Sequence, residues 1–148
     1  MIGLDQLLNV ALKIESKGYS YYSELAQRTE GEVSDVFQKL AEEERNHAER
    51  FKKIFADVSR ESEGGWPSEE ILGYLTTYAE VSIFPKLEED VPQNLKDAVE
   101  LALDVEKESI MFYLEVADYV KSPVVTEIVN EERKHVRTLL QLVKRQVI

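Results

Sequence analysis

The chain has 148 residues, of which 43% are hydrophobic and 32% are charged, a composition typical of one soluble globular domain. A formal net charge of −11 argues against binding to a nucleic-acid backbone, which requires clustered Lys and Arg side chains. Because the chain has no cysteine, it cannot form disulfides, iron–sulfur clusters or Cys-ligated zinc sites, so any metal would be bound by oxygen and nitrogen.

Four long segments show helical periodicity, and no apolar run alternates with period two as a half-buried strand would. The spacing predicts an all-α fold with helices over about residues 4–28, 34–57 and 94–120, and from residue 122 to near the C-terminus. Ser122 and Pro123 fit an N-cap followed by proline at the first helical position. Short connections join the helices of each pair, so we expect two antiparallel pairs that form a four-helix bundle.

The segment from residue 59 to residue 93 separates the two helix pairs and is long enough to cross the bundle. Apolar residues at helical spacing after Ser68, a candidate N-cap, predict a short extra helix that ends near Glu80. We interpret the apolar and aromatic residues of this crossover as a cover for the open side of the bundle, with a subunit interface as the alternative. These residues are Trp66, Tyr74, Tyr78, Ile83 and Phe84.

The two halves of the chain, about residues 1–58 and 94–148, repeat one pattern. The sequence ALKIE at residues 11–15 matches ALDVE at residues 102–106, and ERNH at 44–47 matches ERKH at 132–135. A tyrosine follows seven residues after the first glutamate in each half, at Tyr22 and Tyr113. We therefore predict a single domain, residues 1–148, built from two similar helix pairs.

Each long helix places a glutamate on its apolar stripe, and two of the helices add a histidine three residues later. Four uncompensated carboxylates in a core would cost more than a domain's net stability of about 5–15 kcal/mol, whereas two divalent cations would balance their charge. Oxygen-rich sites with one imidazole per metal suit iron or manganese, although affinity alone would not exclude zinc or copper. The predicted ligands are Glu15, Glu44, His47, Glu106, Glu132 and His135.

Other residues near these stripes allow alternative interpretations. The hydroxyls of Tyr22 and Tyr113 either serve core packing or donate to a ligating carboxylate across the bundle, where they could assist catalysis. Gly18 and Ser109, three residues after Glu15 and Glu106, either leave a pocket beside the metals or let the helices approach. Acidic residues off the stripes are interpreted as solvated; they include Glu42, Glu43, Glu49, Glu88, Glu89, Glu108 and Glu131.

The ligand pattern is that of ferritin-like di-iron and di-manganese bundles, and nearly the whole sequence resembles the rubrerythrin branch of that superfamily. The resemblance implies a ferritin-like four-helix bundle that binds two iron ions, with manganese or zinc as alternatives. It also implies that Glu15 and Glu106 bridge the two ions and that each Glu-x-x-His pair serves one of them. A homo-oligomer, most simply a dimer, is expected by the same analogy.

Two features differ from the family pattern. Rubrerythrins usually carry a rubredoxin domain with Cys-ligated iron, which this chain lacks, so an electron donor such as a separate rubredoxin is expected. Rubrerythrins also usually have a glutamate where this chain has Ser109. The site would then have six ligands and be symmetric, as in bacterioferritin, which weakens the expectation of peroxide reduction.

The leading hypothesis is a non-haem di-iron oxidoreductase that reduces peroxide or dioxygen in protection against oxidative stress. The alternatives are a ferroxidase or iron-handling protein, and a non-catalytic bundle that binds metal for structure or sensing. We expect a cytoplasmic protein without a membrane partner, because no stretch approaches the roughly 20 apolar residues that span a bilayer and the N-terminal MIGLDQLLNVAL lacks a basic leader.

Overall fold

The computed structural model describes residues 4–60, 68–120 and 122–145, and these residues form helices and connections without a strand. The structure confirms the predicted all-α bundle with a crossover that carries extra helical structure. The helices are α1 (Leu4–Arg28), α2 (Gly31–Arg60), α3 (Glu69–Ser82), α4 (Phe84–Leu87), α5 (Leu95–Tyr119) and α6 (Pro123–Lys144). None of the described helices is both long enough and apolar enough to cross a membrane.

Local side-chain contacts explain where the long helices begin and end. The Thr29 hydroxyl donates to the Leu25 carbonyl and the Ser34 hydroxyl to the Ala26 carbonyl, both at 2.8 Å, so the last turn of α1 keeps its carbonyls bonded. Gly31 has a φ of 63°, a left-handed conformation that glycine adopts without steric cost, which allows the tight turn into α2. Ser122 caps α6 as predicted, because its hydroxyl accepts from the Val124 N–H at 3.2 Å.

Two apolar clusters lie on either side of a polar layer in the bundle. The first contains Phe51 and Phe112, and the second contains Phe37 and Leu139. The first cluster also includes Ile14 and the second Tyr22, so on α1 the two clusters flank the segment with Glu15 and Gly18. On the other three long helices the two clusters also flank the ligand positions, so the predicted ligands occupy one layer between two packed apolar regions.

The crossover covers the α1 and α5 side of the bundle. The α3 helix begins at the predicted cap, since the Ser68 hydroxyl accepts from the Ile71 N–H at 3.2 Å. The side chain of Ile83 is fully buried, and Tyr78 and Phe84 pack against the first cluster, which confirms their covering role. Tyr74 is 51% exposed and does not take part, and Trp66 lies outside the described residues.

Candidate metal centre

All six predicted ligands lie in the polar layer, and each of these residues is at most 4% exposed. The four long helices contribute to the layer because the apolar stripe of each helix faces the bundle axis. The structure therefore brings together every residue that the sequence analysis proposed as a ligand. They are Glu15 on α1, Glu44 and His47 on α2, Glu106 on α5, and Glu132 and His135 on α6.

The six side chains form two overlapping groups, and within each group the candidate ligand atoms lie within 4.8 Å of one another. Both groups contain Glu44 and Glu132. Glu15 and His47 complete one group, which we call the inner position. Glu106 and His135 complete the other, which we call the cavity position because a cavity adjoins Glu106.

This arrangement favours a division of roles that differs from the expected one. Glu15 and Glu106 had been expected to bridge the metals, but each belongs to one group only, whereas Glu44 and Glu132 belong to both. Helical spacing shows which residues face the axis, but not how far each side chain extends across it. Two bound ions would therefore share Glu44 and Glu132 as ligands.

The chemistry of the layer fits bound cations. Buried polar atoms in proteins are normally hydrogen-bonded, yet Glu15 Oε2, Glu44 Oε1, Glu106 Oε2 and His135 Nδ1 have no hydrogen-bond partner among the described residues. His135 Nδ1 lies 3.0 Å from Glu44 Oε1, but the orientation is not that of a hydrogen bond. Four unpartnered ligand atoms therefore converge on one layer. This oxygen-rich set, with one imidazole in each group, suits iron or manganese.

The two imidazoles turn their Nδ1 atoms towards the layer and their Nε2 atoms towards its edge. His47 Nδ1 lies 2.9 Å from Glu15 and 2.7 Å from Glu132. At the edge, His47 Nε2 lies 3.3 Å from Glu131, and His135 Nε2 lies 2.5 Å from Glu43. A carboxylate that accepts from Nε2–H leaves Nδ1 free to bind a metal, so these contacts select the required tautomer.

The interpretation of Glu43 and Glu131 as solvated residues was therefore wrong. Both side chains are about one-third exposed, and both contact a ligand histidine on the facing helix. Arg50 also donates to the two oxygens of Glu131 at 3.0 and 2.8 Å, which fixes that carboxylate. The sequence contained a signal, since an acidic residue directly precedes the ligand glutamate in both copies of Glu-Glu-x-x-His.

Most carboxyl groups of the metal-free layer have raised pKa values. Burial, followed by the charge of neighbouring carboxylates, raises the pKa of Glu15, Glu44 and Glu106 well above the usual range. Burial also acts to raise the pKa of Glu132, but its contacts with Glu106 and both histidines hold it well below the usual value. Metal binding would release any protons on these groups, because ligating carboxylates must be ionised.

Both histidines favour the protonated form in the metal-free layer. Burial acts to lower their pKa values, but the nearby carboxylates outweigh it, chiefly Glu132 for His47 and Glu106, Glu132 and Glu43 for His135. The protonated imidazoles therefore provide positive charge where cations would otherwise lie.

The two tyrosines differ in their contacts. The Tyr22 hydroxyl donates to Glu106 at 2.7 Å, which is the cross-bundle contact considered from the sequence. The Tyr113 hydroxyl is buried without a partner among the described residues, and its ring packs against Phe51 with centroids 4.9 Å apart. Tyr22 thus orients a candidate ligand, whereas Tyr113 contributes packing.

A small cavity adjoins the cavity position, with an accessible volume of about 20 Å³. Glu44, Glu106 and Glu132 form part of its wall, and Gly18 and Ser109 line it as well. About 10–15 Å³ of such volume holds one water molecule, so the cavity accepts a molecule of very few atoms. The small residues predicted beside the metals therefore do leave space there.

Gly18 also allows a close approach. A Cβ atom built on it would lie 2.7 Å from Glu44 Oε2 and 3.2 Å from its Cδ, so any larger residue would displace this carboxylate. Gly18 and Ser109 occupy matching positions in the two halves, and Gly18 lies directly against the shared ligand Glu44.

Comparison with known proteins places this geometry in a family. The Rubrerythrin family model matches residues 6–143, which include all six ligand positions. The chain belongs to the rubrerythrin family. A crystal structure at 2.30 Å of a Thermotoga maritima protein, assigned as a ferritin-like diiron-carboxylate protein, is similar to this rubrerythrin-family chain. The TM-score is 0.71 at 27% identity, over 99% of this chain and 97% of that one. No curated protein gives a significant match.

Proposed function

We propose that this rubrerythrin-family chain is a non-haem di-iron oxidoreductase that reduces peroxide or dioxygen with electrons from a separate donor protein. The observation that carries the proposal is the cavity beside Glu44, Glu106 and Glu132. A metal site that only stabilised the fold would be closed on all sides, whereas a reacting site needs an open position for its substrate. When bound, two iron ions would supply the electrons that reduce the oxidant.

The chain's own residues would hold the ions and prepare the cavity. Glu43 and Glu131 hold the outer nitrogens of the histidines, so that Nδ1 of each ring faces the layer. Tyr22 donates to Glu106 and fixes the carboxylate that lines the cavity. Ile14 and Ala102, both buried, provide apolar wall and limit the water that reaches the site.

The volume of the cavity sets the substrate class. Its accessible space of about 20 Å³ suits a molecule of two heavy atoms, such as hydrogen peroxide or dioxygen. An organic hydroperoxide with an aromatic group would not fit. These 148 residues cannot themselves hold an iron–thiolate donor centre, because they include no cysteine.

A ferroxidase or iron-handling role is the second candidate, and a surface groove between α2 and α6 favours it. The groove has a volume of about 770 Å³ and reaches His135. Three carboxylates and two lysines line it, which leaves an excess of negative charge that attracts cations; these residues are Glu43, Glu127, Glu131, Lys39 and Lys134. In this role, iron would pass through the site instead of remaining there.

Rapid mixing of anaerobically prepared diferrous protein with oxidants tests the proposal. We expect fast oxidation by hydrogen peroxide or dioxygen, slow oxidation by cumene hydroperoxide, and full re-reduction by reduced rubredoxin with the iron retained. Ser109→Leu is the matched variant, because it fills the cavity without removing a ligand and should slow oxidation at unchanged iron content. Iron that accumulates with each cycle would instead support the ferroxidase role, and a redox-silent metal would contradict both.

A further inference from the structure

We propose that Lys86 determines the ligand specificity of the cavity, and that its positive charge favours small anions over neutral molecules of similar size. The ligand class would include azide, cyanate and the conjugate base of peroxide, each with about two or three heavy atoms. The inference rests on the proposed function, because it describes what enters the same cavity.

The cavity wall changes from buried to half-buried residues towards α4. The three carboxylates of the wall are buried, whereas Lys86 and Leu87 of α4 are half-buried. We call the half-buried part of the wall the rim; it consists of Gly18, Tyr21, Lys86, Leu87 and Val105. Lys86 is its one charged residue, so a molecule that enters from solvent passes a positive charge before it reaches Glu106.

The α4 segment that carries Lys86 is fixed to the bundle. Ile83, directly before it, is fully buried, and the Leu87 N–H donates to the Ile83 carbonyl at 3.2 Å. Lys13 on α1 forms an ion pair of 3.1 Å with Glu88, and its ammonium lies 4.2 Å from the centre of the Phe84 ring. Contacts on both sides of Lys86 thus hold its backbone at the rim.

The charge of Lys86 is not compensated by a close partner. No ion pair joins its ammonium to a carboxylate in the parts of the chain that the structure describes, although acidic residues outnumber basic ones by 29 to 18. The net charge of −11 would repel an approaching anion, although bound cations would balance the carboxylates of the layer. An unpaired ammonium at the rim opposes this repulsion where the anion enters. A neutral molecule is not repelled and does not require this compensation.

Azide binding to the diferric protein tests the proposal without turnover. The dissociation constant is measured by absorption titration for the wild type, Lys86→Gln, Lys86→Arg and Lys96→Gln. We expect Lys86→Gln to bind azide about tenfold more weakly, the order expected for the loss of one charge near a bound anion close to a protein surface. Lys86→Arg should bind like the wild type. Lys96 is an exposed lysine of α5 outside the cavity lining, and its substitution should change nothing.

Nitric oxide binding to the diferrous protein provides the neutral comparison, and its affinity should be the same in the wild type and in Lys86→Gln. The proposal is overturned if Lys86→Gln binds azide as tightly as the wild type, or if Lys96→Gln weakens azide binding as much as Lys86→Gln does. It is also overturned if Lys86→Gln weakens nitric oxide binding as much as azide binding. Measured iron content excludes metal loss as the cause. Normal azide binding in a protein that does not reduce oxidants would refute the proposed function and leave the role of Lys86 standing.

Discussion

Gly18→Ala tests whether the position of Glu44 determines metal binding. The added Cβ would lie 2.7 Å from Glu44 Oε2, and real Cβ atoms essentially never approach another atom so closely. The Glu44 carboxylate must therefore move. Because Glu44 belongs to both ligand groups, its displacement should affect both metal positions.

The magnitude follows from two opposing effects. Alanine in a helix interior is about 1 kcal/mol more favourable than glycine, so the metal-free variant should lose little stability or gain some. A tenfold weaker metal affinity removes about 1.4 kcal/mol of metal-induced stabilisation per ion. We expect at least this loss at one position and a smaller loss at the other.

Urea unfolding with and without iron(II), under anaerobic conditions, measures both effects. Gly73→Ala is the control, because Gly73 is also helical and an added Cβ would meet nothing within 4 Å. The control should raise stability by about 0.5–1 kcal/mol equally with and without metal. If Gly18→Ala retains the full metal-induced stabilisation of the wild type, the reasoning about Glu44 is wrong.

Three further predictions concern the layer. Burial raises the pKa of Glu44 and Glu106, so their neutral forms stabilise the fold below the usual carboxyl pKa and this stabilisation is lost as pH rises. The metal-free protein should therefore resist urea better at pH 5 than at pH 8. Equal resistance, or the opposite order, would contradict this. Tyr22→Phe should slow diferrous oxidation more than Tyr113→Phe, because only Tyr22 donates to a ligand; equal rates in stopped-flow traces would refute its role. Ser109→Glu should raise the oxidation rate with peroxide relative to dioxygen, since an added carboxylate would reach the metals, and an unchanged rate ratio would count against it.

The helices and the ligand set could be predicted because both depend on periodicity. Buried positions recur at helical spacing, so the apolar stripes indicated the face of each helix, and Glu44 with His47 stood where core residues belong. The duplication in the second half strengthened the prediction, since a matching pair appears at Glu132 and His135. The Ser68 and Ser122 caps were predictable for a similar reason, because capping depends on local sequence.

Relations between helices could not be predicted in this way. Which carboxylates are shared depends on how far each side chain extends across the axis, and periodicity does not describe that distance. Glu43 and Glu131 lie beside the apolar stripes, and their contacts with the histidines depend on how α2 and α6 face each other. Likewise, the sequence made Gly18 and Ser109 equivalent, but only the folded chain brings Glu44 against Gly18.

The metal content of the protein isolated with its native metal tests the central claim most directly. Elemental analysis should give about two iron ions per chain, as in ferritin-like di-iron bundles. Glu44→Ala should reduce binding at both positions because it removes a shared ligand, whereas Glu15→Ala should affect the inner position alone. One ion or none in the wild type, with a Glu44→Ala variant that binds metal equally well, would contradict the dinuclear site.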